Sequence, residues 1–302
     1  MASFQRPYAN ETDQILMTAL SRQFPSDNLR VIDLPYRLSS WACDDPANVG
    51  LWFDDARLVA WAVLQPPFWT LDYAYHPDAP DIHPRILAWA DERARAALYT
   101  PSGRPVWFVN VFADQSNRRR DLEAAGFADQ GDAGDDAWAK VFLRCDAPPA
   151  APDTTLPDSF TLRPLAGASE VAAYVALHRA AFGTENMTLP WRARTLQRPE
   201  YTADLDLVAV APDGRLAAFC IGWLTPDDPH RGQIEPLGVH PDFQGQGLGR
   251  AILIEGLRRL HAHGAKEIFV ETDTYRNPAL ALYTAVGFCK VRDICVYGKN
   301  YE

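Results

Sequence analysis

No run of apolar residues in this 302-residue chain is long enough to cross a bilayer. The opening stretch, MASFQRPYANETDQ, has neither the basic segment nor the apolar core of a secretory leader. There is no Cys-x-x-Cys and no Cys/His cluster with zinc spacing. The five cysteines (Cys43, Cys145, Cys220, Cys289, Cys295) are scattered and odd in number. They read as small buried hydrophobes, kept reduced in a cytoplasmic protein. Basic charge is scarce as well. The net charge is −10, with 14 basic and 20 acidic residues up to Cys145 and 15 and 19 beyond it. Neither half is a basic module, so neither nucleic acid nor a membrane is the expected partner. The acidic balance is the ordinary signature of a soluble surface.

At this length one hydrophobic core seldom suffices, and two domains are expected. The stretch CDAPPAAPDTTLPDS, from Cys145 to Ser159, is rich in proline and has no periodicity. It reads as a stiff connector and divides the chain into residues 1–145, a linker at 146–158 and residues 159–302. The two sides repeat one plan. FQRPY at Phe4 answers TLRPL at Thr161, and LDYAYHPD at Leu71 answers IEPLGVHPD at Ile234. VWFVNV at Val106 answers EIFVET at Glu267, and LEAAGFAD at Leu122 answers YTAVGFCK at Tyr283. The order is the same throughout. The expectation is two copies of one α/β fold, each a mixed, mostly antiparallel sheet flanked by helices. The copies are expected to pack as a pseudo-dimer, with a homo-oligomer left open.

The second copy is legible element by element. SFTLRPL reads as a first strand, and SEVAAYVALHRAAF as a helix with Ser169 as its cap. Two strands follow, joined at Pro212-Asp213-Gly214. GQIEPLGV is a further strand. The next helix carries an apolar stripe of Leu248, Ile252, Leu253, Leu257 and Leu260 and is closed by Gly264. KEIFVET is a strand, NPALALYTAVGF a helix with Asn277 at its cap and Pro278 at its first position, and KVRDICVYGKN the last strand.

Between the fourth of these strands and the striped helix stands Gln244-Gly245-Gln246-Gly247-Leu248-Gly249-Arg250. Glycine disfavours helix, yet three crowd this entrance. The first amides of a helix have no intrahelical partner, and the helix dipole favours an anion there. Missing side chains let the backbone close on a ligand. The loop reads as a pyrophosphate cradle, with Arg250 adding a charge-assisted contact. No Gly-Lys-Ser/Thr follows, which disfavours a P-loop, and the glycine spacing differs from that of the dinucleotide fingerprint.

These residues resemble the GNAT-type N-acetyltransferase superfamily. Gln244, Gly247 and Gly249 fit its Q/R-x-x-G-x-G/A pattern. Asn277, Tyr283, Gly287 and Phe288 fit its next motif, and the resemblance covers Phe160 to about Tyr297. It implies that the loop amides hold the pyrophosphate of acetyl-CoA. It also implies that the strand Leu237-Gly238-Val239 pairs with the pantetheine arm, that Asn277 contacts the same cosubstrate, and that Tyr283 stands near the thioester sulfur. No metal is implied. The tandem plan, one copy intact and one degenerate, resembles that of mycothiol synthases and similar two-domain acetyltransferases, without carrying their substrate over.

Acyl transfer to an amine needs a base for the amine, an N–H donor for the thioester oxygen and an acid for the leaving sulfur. Tyr283 is the candidate acid. Glu235 is the candidate base, on the strand before the cradle and two residues from Leu237, hence on the same face. Glu271 and Asp273 are rival bases or amine anchors. Backbone N–H groups near Leu237–Val239 are candidates to receive the oxyanion. Cys220 and Cys289 have no evident activating histidine, which disfavours a covalent route. His240 is expected to shape the loop. Trp191, Arg192, Arg194 and Tyr201 either line the acceptor pocket or pack.

In the first copy the matching stretch is YHPDAPDIHPRILAWADERARA. The glycines are gone, Pro80 and Pro84 lack the amides, and the register puts Leu122 and Ser116 where Tyr283 and Asn277 stand. This copy is expected to keep the fold without the cofactor site. It also holds seven of the nine tryptophans, expected mostly in its core, with a face toward the other copy or the acceptor site as the lesser reading. The expected activity is acetyl-CoA-dependent acetylation of a small-molecule amine. The alternatives are a non-catalytic acyl-CoA-binding sensor or scaffold, and acetylation of a protein amine or an antibiotic.

Overall fold

The computed structural model describes residues 4–79, 81–132, 137–146, 156–157 and 159–301. Most of the proline-rich connector therefore lies outside the described residues, as does Pro80. The first copy runs β1 (Phe4–Pro7), α1 (Glu11–Gln23), α2 (Leu34–Leu38), β2 (Val49–Asp54), β3 (Arg57–Gln65), β4 (Thr70–Tyr75), α3 (Ile82–Ala97), β5 (Val106–Phe112), α4 (Ser116–Ala124), β6 (Ala128–Asp129) and β7 (Ala139–Cys145). The second runs β8 (Thr161–Pro164), α5 (Val171–Phe182), α6 (Leu189–Gln197), β9 (Asp206–Val210), β10 (Leu216–Thr225), β11 (Asp228–Val239), α7 (Leu248–Ala262), β12 (Glu267–Asp273), α8 (Asn277–Val286) and β13 (Cys289–Asn300). Among the described residues no helix is long and apolar enough to cross a membrane.

The repeat is visible in hydrogen bonds. Arg6 pairs with Asp13, which accepts from the Ala9 amide at 2.7 Å; Arg163 pairs with Glu170, which accepts from the Ala166 amide at 2.7 Å. His76 Nδ1 accepts from the Asp78 amide at 3.1 Å, and His240 Nδ1 from the Asp242 amide at 3.1 Å. Phe127 N–H reaches the Leu122 carbonyl, and Phe288 N–H the Tyr283 carbonyl, both at 3.0 Å. Leu122 is thus the structural counterpart of Tyr283.

The two copies do not keep separate sheets. The strands form one sheet in the order β1-β2-β3-β4-β5-β13-β7-β12-β11-β10-β9-β8, with β6 beside β13. Each copy gives its last strand to the other. β7 pairs with β12, from Cys145 opposite Ile268 to Lys140 opposite Asp273. β13 pairs with β5, from Ile294 opposite Phe112 to Asn300 opposite Val106. The boundary expected at 145/159 does not divide the sheet.

Packing follows the exchange. The stripe of α7 is buried on β9, β10 and β11, in one cluster with Leu143 and Cys145 of the exchanged strand. A second cluster joins Val31, Ile32 and Tyr36 of the first copy to Tyr174, Trp191, Trp223 and Phe269 of the second. The first copy's tryptophans serve both expected roles. Trp52, Trp61 and Trp107 are fully buried, whereas Trp41 Nε1 donates across the junction to the Asn186 carbonyl at 3.0 Å. Two cap assignments change. Ser169 sits in a short 3-10 turn ahead of α5 and donates to the Ala166 carbonyl, so it caps nothing. α8 starts one residue early, with Arg276 at the cap and Asn277 at the first helical position. Gln115 before α4 has nearly the same backbone angles as Arg276.

A second copy expressed alone would expose the β12 edge and half of an aromatic cluster. The loss is comparable to the whole stability of a domain, about 5 kcal/mol or more. A fragment of residues 156–301 is expected to show no cooperative thermal transition by circular dichroism. A monomeric fragment that melts like the full chain contradicts the shared sheet.

Candidate active site

β11 and β12 run parallel and pair only from Arg231 to Gln233 against Glu267 to Phe269. Beyond that point they part. The cause is local: Glu235 and Pro236 stand opposite the single residue Ile221, a bulge in the β10–β11 ladder, and Pro236 has no N–H to give. The His240 amide donates to the Ala217 carbonyl at 2.8 Å. Main-chain groups alternate sides along an antiparallel ladder. Those of Gly238 therefore face β10, and those of Val239 and Leu237 face the gap.

At the end of the gap the chain turns into α7. Gly247 caps the helix at φ +81° and Gly245 has φ +75°, a region other residues adopt only at a cost. A Cβ on either would meet nothing within 4 Å, so the turn is open on that side. The first main-chain bond of the helix runs from Ala251 N–H to the Gly247 carbonyl. Among the described residues, the N–H groups of Gly245, Gln246, Gly247, Leu248, Gly249 and Arg250 have no main-chain acceptor. Arg250 is exposed and without an ion-pair partner in that set. The side chain of Leu248 is buried in the core, leaving its amide to the loop. Gln244 folds back, its Nε2 donating to the Val239 carbonyl at 3.3 Å. Asn277 is exposed at the start of α8. His240 braces the short turn before the loop, as expected. Gly238 has another reason to be glycine: a Cβ there would lie 2.6 Å from the Phe219 ring.

Beneath the gap lies a cavity of about 450 Å³, lined by Glu235, Leu237 and Tyr283 of the second copy and by Arg30, Arg37 and Lys140 of the first. Its charges are almost all paired. Arg30 donates to Glu271 at 2.7 Å and to Asp33 at 3.3 Å. Lys140, on the exchanged strand, donates to Glu271 at 2.8 Å and lies 3.3 Å from Asp273. Trp138 Nε1 and Arg276 Nε hold the two oxygens of Asp273 at 2.8 and 2.7 Å. Arg37 grips Asp72 and Thr70. Burial pushes the Glu271 carboxyl up, but Arg30 and Lys140 pull it further down, well below the ordinary range.

Glu235 is the exception. No ion pair or side-chain hydrogen bond holds its carboxylate among the described residues; only its backbone carbonyl is used, by Trp223 Nε1 at 2.6 Å. Burial, then the charges of Asp33 and Glu271, push it up to about 7, with Arg30 and Arg37 opposing. Tyr283 is nearly buried, 7 % exposed, and burial together with Glu235 raises its phenol, keeping it protonated. Cys220 is buried and its thiol raised by burial, a poor nucleophile. Of the four residues between α5 and β9 singled out above, Trp191 lines the cavity. Arg192 is buried on Asp206, where Tyr201 also donates at 2.7 Å. Arg194 reaches Ser39 and Asp44 of the first copy.

The first copy also has a cavity at the matching place, lined by Tyr75, Pro77, Pro84 and Ser116, but its corner differs by more than its prolines. His83 holds the helix position that Gly249 holds in the second copy. It bonds Asp121 at 2.8 Å and Tyr73 at 3.0 Å and stacks on Tyr75. An imidazole thus stands at the helix position where the second copy has no side chain.

The charged first-copy wall (Arg30, Arg37, Lys140) was missing from the sequence reading, because no local pattern marks a strand as exchanged; Trp138, one of the seven first-copy tryptophans, takes the lesser of their two expected roles and lines the cavity. Among the described residues no group of His, Cys, Asp and Glu is disposed to hold a metal ion.

Residues 171–288 match the acetyltransferase (GNAT) family. A mycothiol acetyltransferase of Kineococcus radiotolerans is 39% identical over 147 residues, 46% of this chain and 46% of that protein. One from an Arthrobacter species is 31% identical over 154 residues, 49% and 48% of the two chains. The chain spans about half the length of the curated relatives it matches. Among solved structures, a tandem GNAT protein from the clavulanic acid biosynthesis pathway superposes with a TM-score of 0.67 at 15% identity, covering 100% of this chain and 99% of that one. A GCN5-related N-acetyltransferase from Sphaerobacter thermophilus gives 0.65 at 20% identity, covering 99% and 96%. These two likenesses are of fold.

Ionising Glu235 is disfavoured in the folded chain and not in the unfolded one. Its contribution to stability is present below the ordinary 4.5 and lost as pH rises through about 7. Glu235→Gln removes that loss. Calorimetry is expected to show a Tm advantage for the variant that is larger at about pH 8.5 than at about pH 4.5; an equal difference at both contradicts the raised carboxyl.

Proposed function

Starting from a second copy of the GNAT family within a tandem-GNAT fold, we propose that the protein is an acetyl-CoA-dependent N-acetyltransferase. It acetylates a small-molecule amine held between the two copies. One observation carries this reading: a row of unengaged amides at the α7 entrance follows β11, the strand whose Glu235 and Leu237 line a cavity that holds an unpaired carboxylate raised to about 7 and a tyrosine kept protonated.

The site fits the cosubstrate. The amides of Gly245 through Arg250 and the positive end of α7 receive its diphosphate, Arg250 adds a charge, and Asn277 lies beside the same opening. The main-chain groups of Val239 and Leu237 pair with the pantetheine arm, while Gly238 serves packing. Bound there, acetyl-CoA supplies an activated acyl group. Glu235 takes the proton from the amine nitrogen as the N–C bond forms. The Leu237 N–H faces the charge that grows on the thioester oxygen. Tyr283 gives its proton to sulfur as the C–S bond breaks, then recovers one from solvent. Glu271 stays ionised in its pairs, and with Asp273 it holds the wall rather than acting as a base.

Mixing the full chain with acetyl-CoA and a panel of amines, and following free thiol, tests the reading. Thiol release dependent on an amine is expected; tight acetyl-CoA binding without release points to a sensor instead. Tyr283→Phe is expected to lower kcat by roughly 10²-fold with acetyl-CoA affinity kept. Gly247→Val is expected to weaken acetyl-CoA binding roughly tenfold or more by calorimetry. Unchanged values contradict the acid and the cradle respectively.

A further inference from the structure

The cavity has two unlike ends. One is the wall of paired charges around Glu271 and Asp273. The other is built from rings contributed by both copies. Tyr36 and Phe68 come from the first, Trp191, His178 and Phe182 from the second, and all five line the cavity. Trp191 packs 5.2 Å from Tyr36 and 5.3 Å from Phe68, centroid to centroid. His178 packs 4.7 Å from Phe182. Glu235 lines the cavity between these ends.

Most polar atoms of this ring box are engaged inside the protein, and His178 Nδ1 is buried without a partner among the described residues. Tyr36 Oη shares a hydrogen bond with His178 Nε2 at 3.2 Å. Trp191 Nε1 donates to the Tyr36 carbonyl at 3.1 Å, and Asn186 Nδ2 donates to the Pro67 carbonyl at 2.7 Å. A hydroxyl-rich group placed there would lose water and find few replacements. A second cation is also disfavoured, although rings alone would welcome one. The Arg37 guanidinium already lies 3.8 Å over the Phe68 ring. His178 adds no charge, because burial and nearby Arg192 push it down to about 3. What remains is a dry surface suited to a neutral apolar group.

Resting on the proposed acetyl transfer, we infer that the acceptor is a primary amine carrying a compact apolar ring. The ring packs against Phe68 and Phe182, the partly exposed rings of the box, while the amine nitrogen meets Glu235. The first copy is then the specificity element of a site whose chemistry resides in the second.

The experiment compares phenethylamine, ethanolamine and glucosamine as acceptors at saturating acetyl-CoA. The wild-type chain is expected to show kcat/KM for phenethylamine at least about tenfold above the other two, the scale of burying a ring. Phe68→Ala is expected to shrink that ratio toward one, and Phe68→Leu to keep most of it. Equal or better turnover of ethanolamine or glucosamine overturns the ring box while leaving acetyl transfer in place. If no amine releases thiol, acetyl transfer fails and the box is read by binding. Saturable quenching of tryptophan fluorescence by phenethylamine in the presence of CoA, weakened by Phe68→Ala, supports it; no quenching overturns it.

Discussion

The pairing of Glu271 with Arg30 and Lys140 is the interaction on which the rest of the site depends. Both cations come from the first copy and the carboxylate from the second. Buried ion pairs seldom add much net stability, but breaking one strands a charge, at a cost of about 3–5 kcal/mol. Here the cations also keep Glu271 ionised, so its negative charge stands permanently beside Glu235. Burial, then the charge of Asp33 and that of Glu271, lift Glu235 into the neutral range. One carboxylate is thereby fixed as a wall and its neighbour left able to exchange a proton.

The exchange of last strands makes this pairing possible. Lys140 and Trp138 reach Glu271 and Asp273 because β7 lies beside β12. The first copy is therefore not a passive support. His83 fills its own corner, while its loops and last strand complete the cavity of the intact copy.

Much of this was legible in the chain. The repeat, the strand–loop–helix order of the second copy, the α7 stripe and the glycine turn all depend on local pattern, and local pattern is what a sequence states openly. Glu235 was picked by strand alternation with Leu237. A bulge at Pro236 interrupts that alternation, yet both residues line the same cavity. The exchange was not legible. Val141, Leu143 and Cys145 alternate toward a core in the same way whichever copy they join. Arg30 and Arg37 gave no sign either, since neither belongs to a motif and their partners Glu271 and Asp72 are distant in sequence. Gly238 illustrates the converse: it stood inside a motif, and its smallness answers to Phe219.

The most direct test of the central claim, a lone carboxylate acting as base among paired charges, is the pH dependence of kcat/KM for acetyl transfer. It should be measured with an acceptor amine whose own ionisation lies far from neutral. The account predicts a rate that climbs with pH through an inflection near the Glu235 value of about 7, and a Glu235→Gln variant that is slow and lacks this inflection. A variant with the same inflection and similar rate would contradict it.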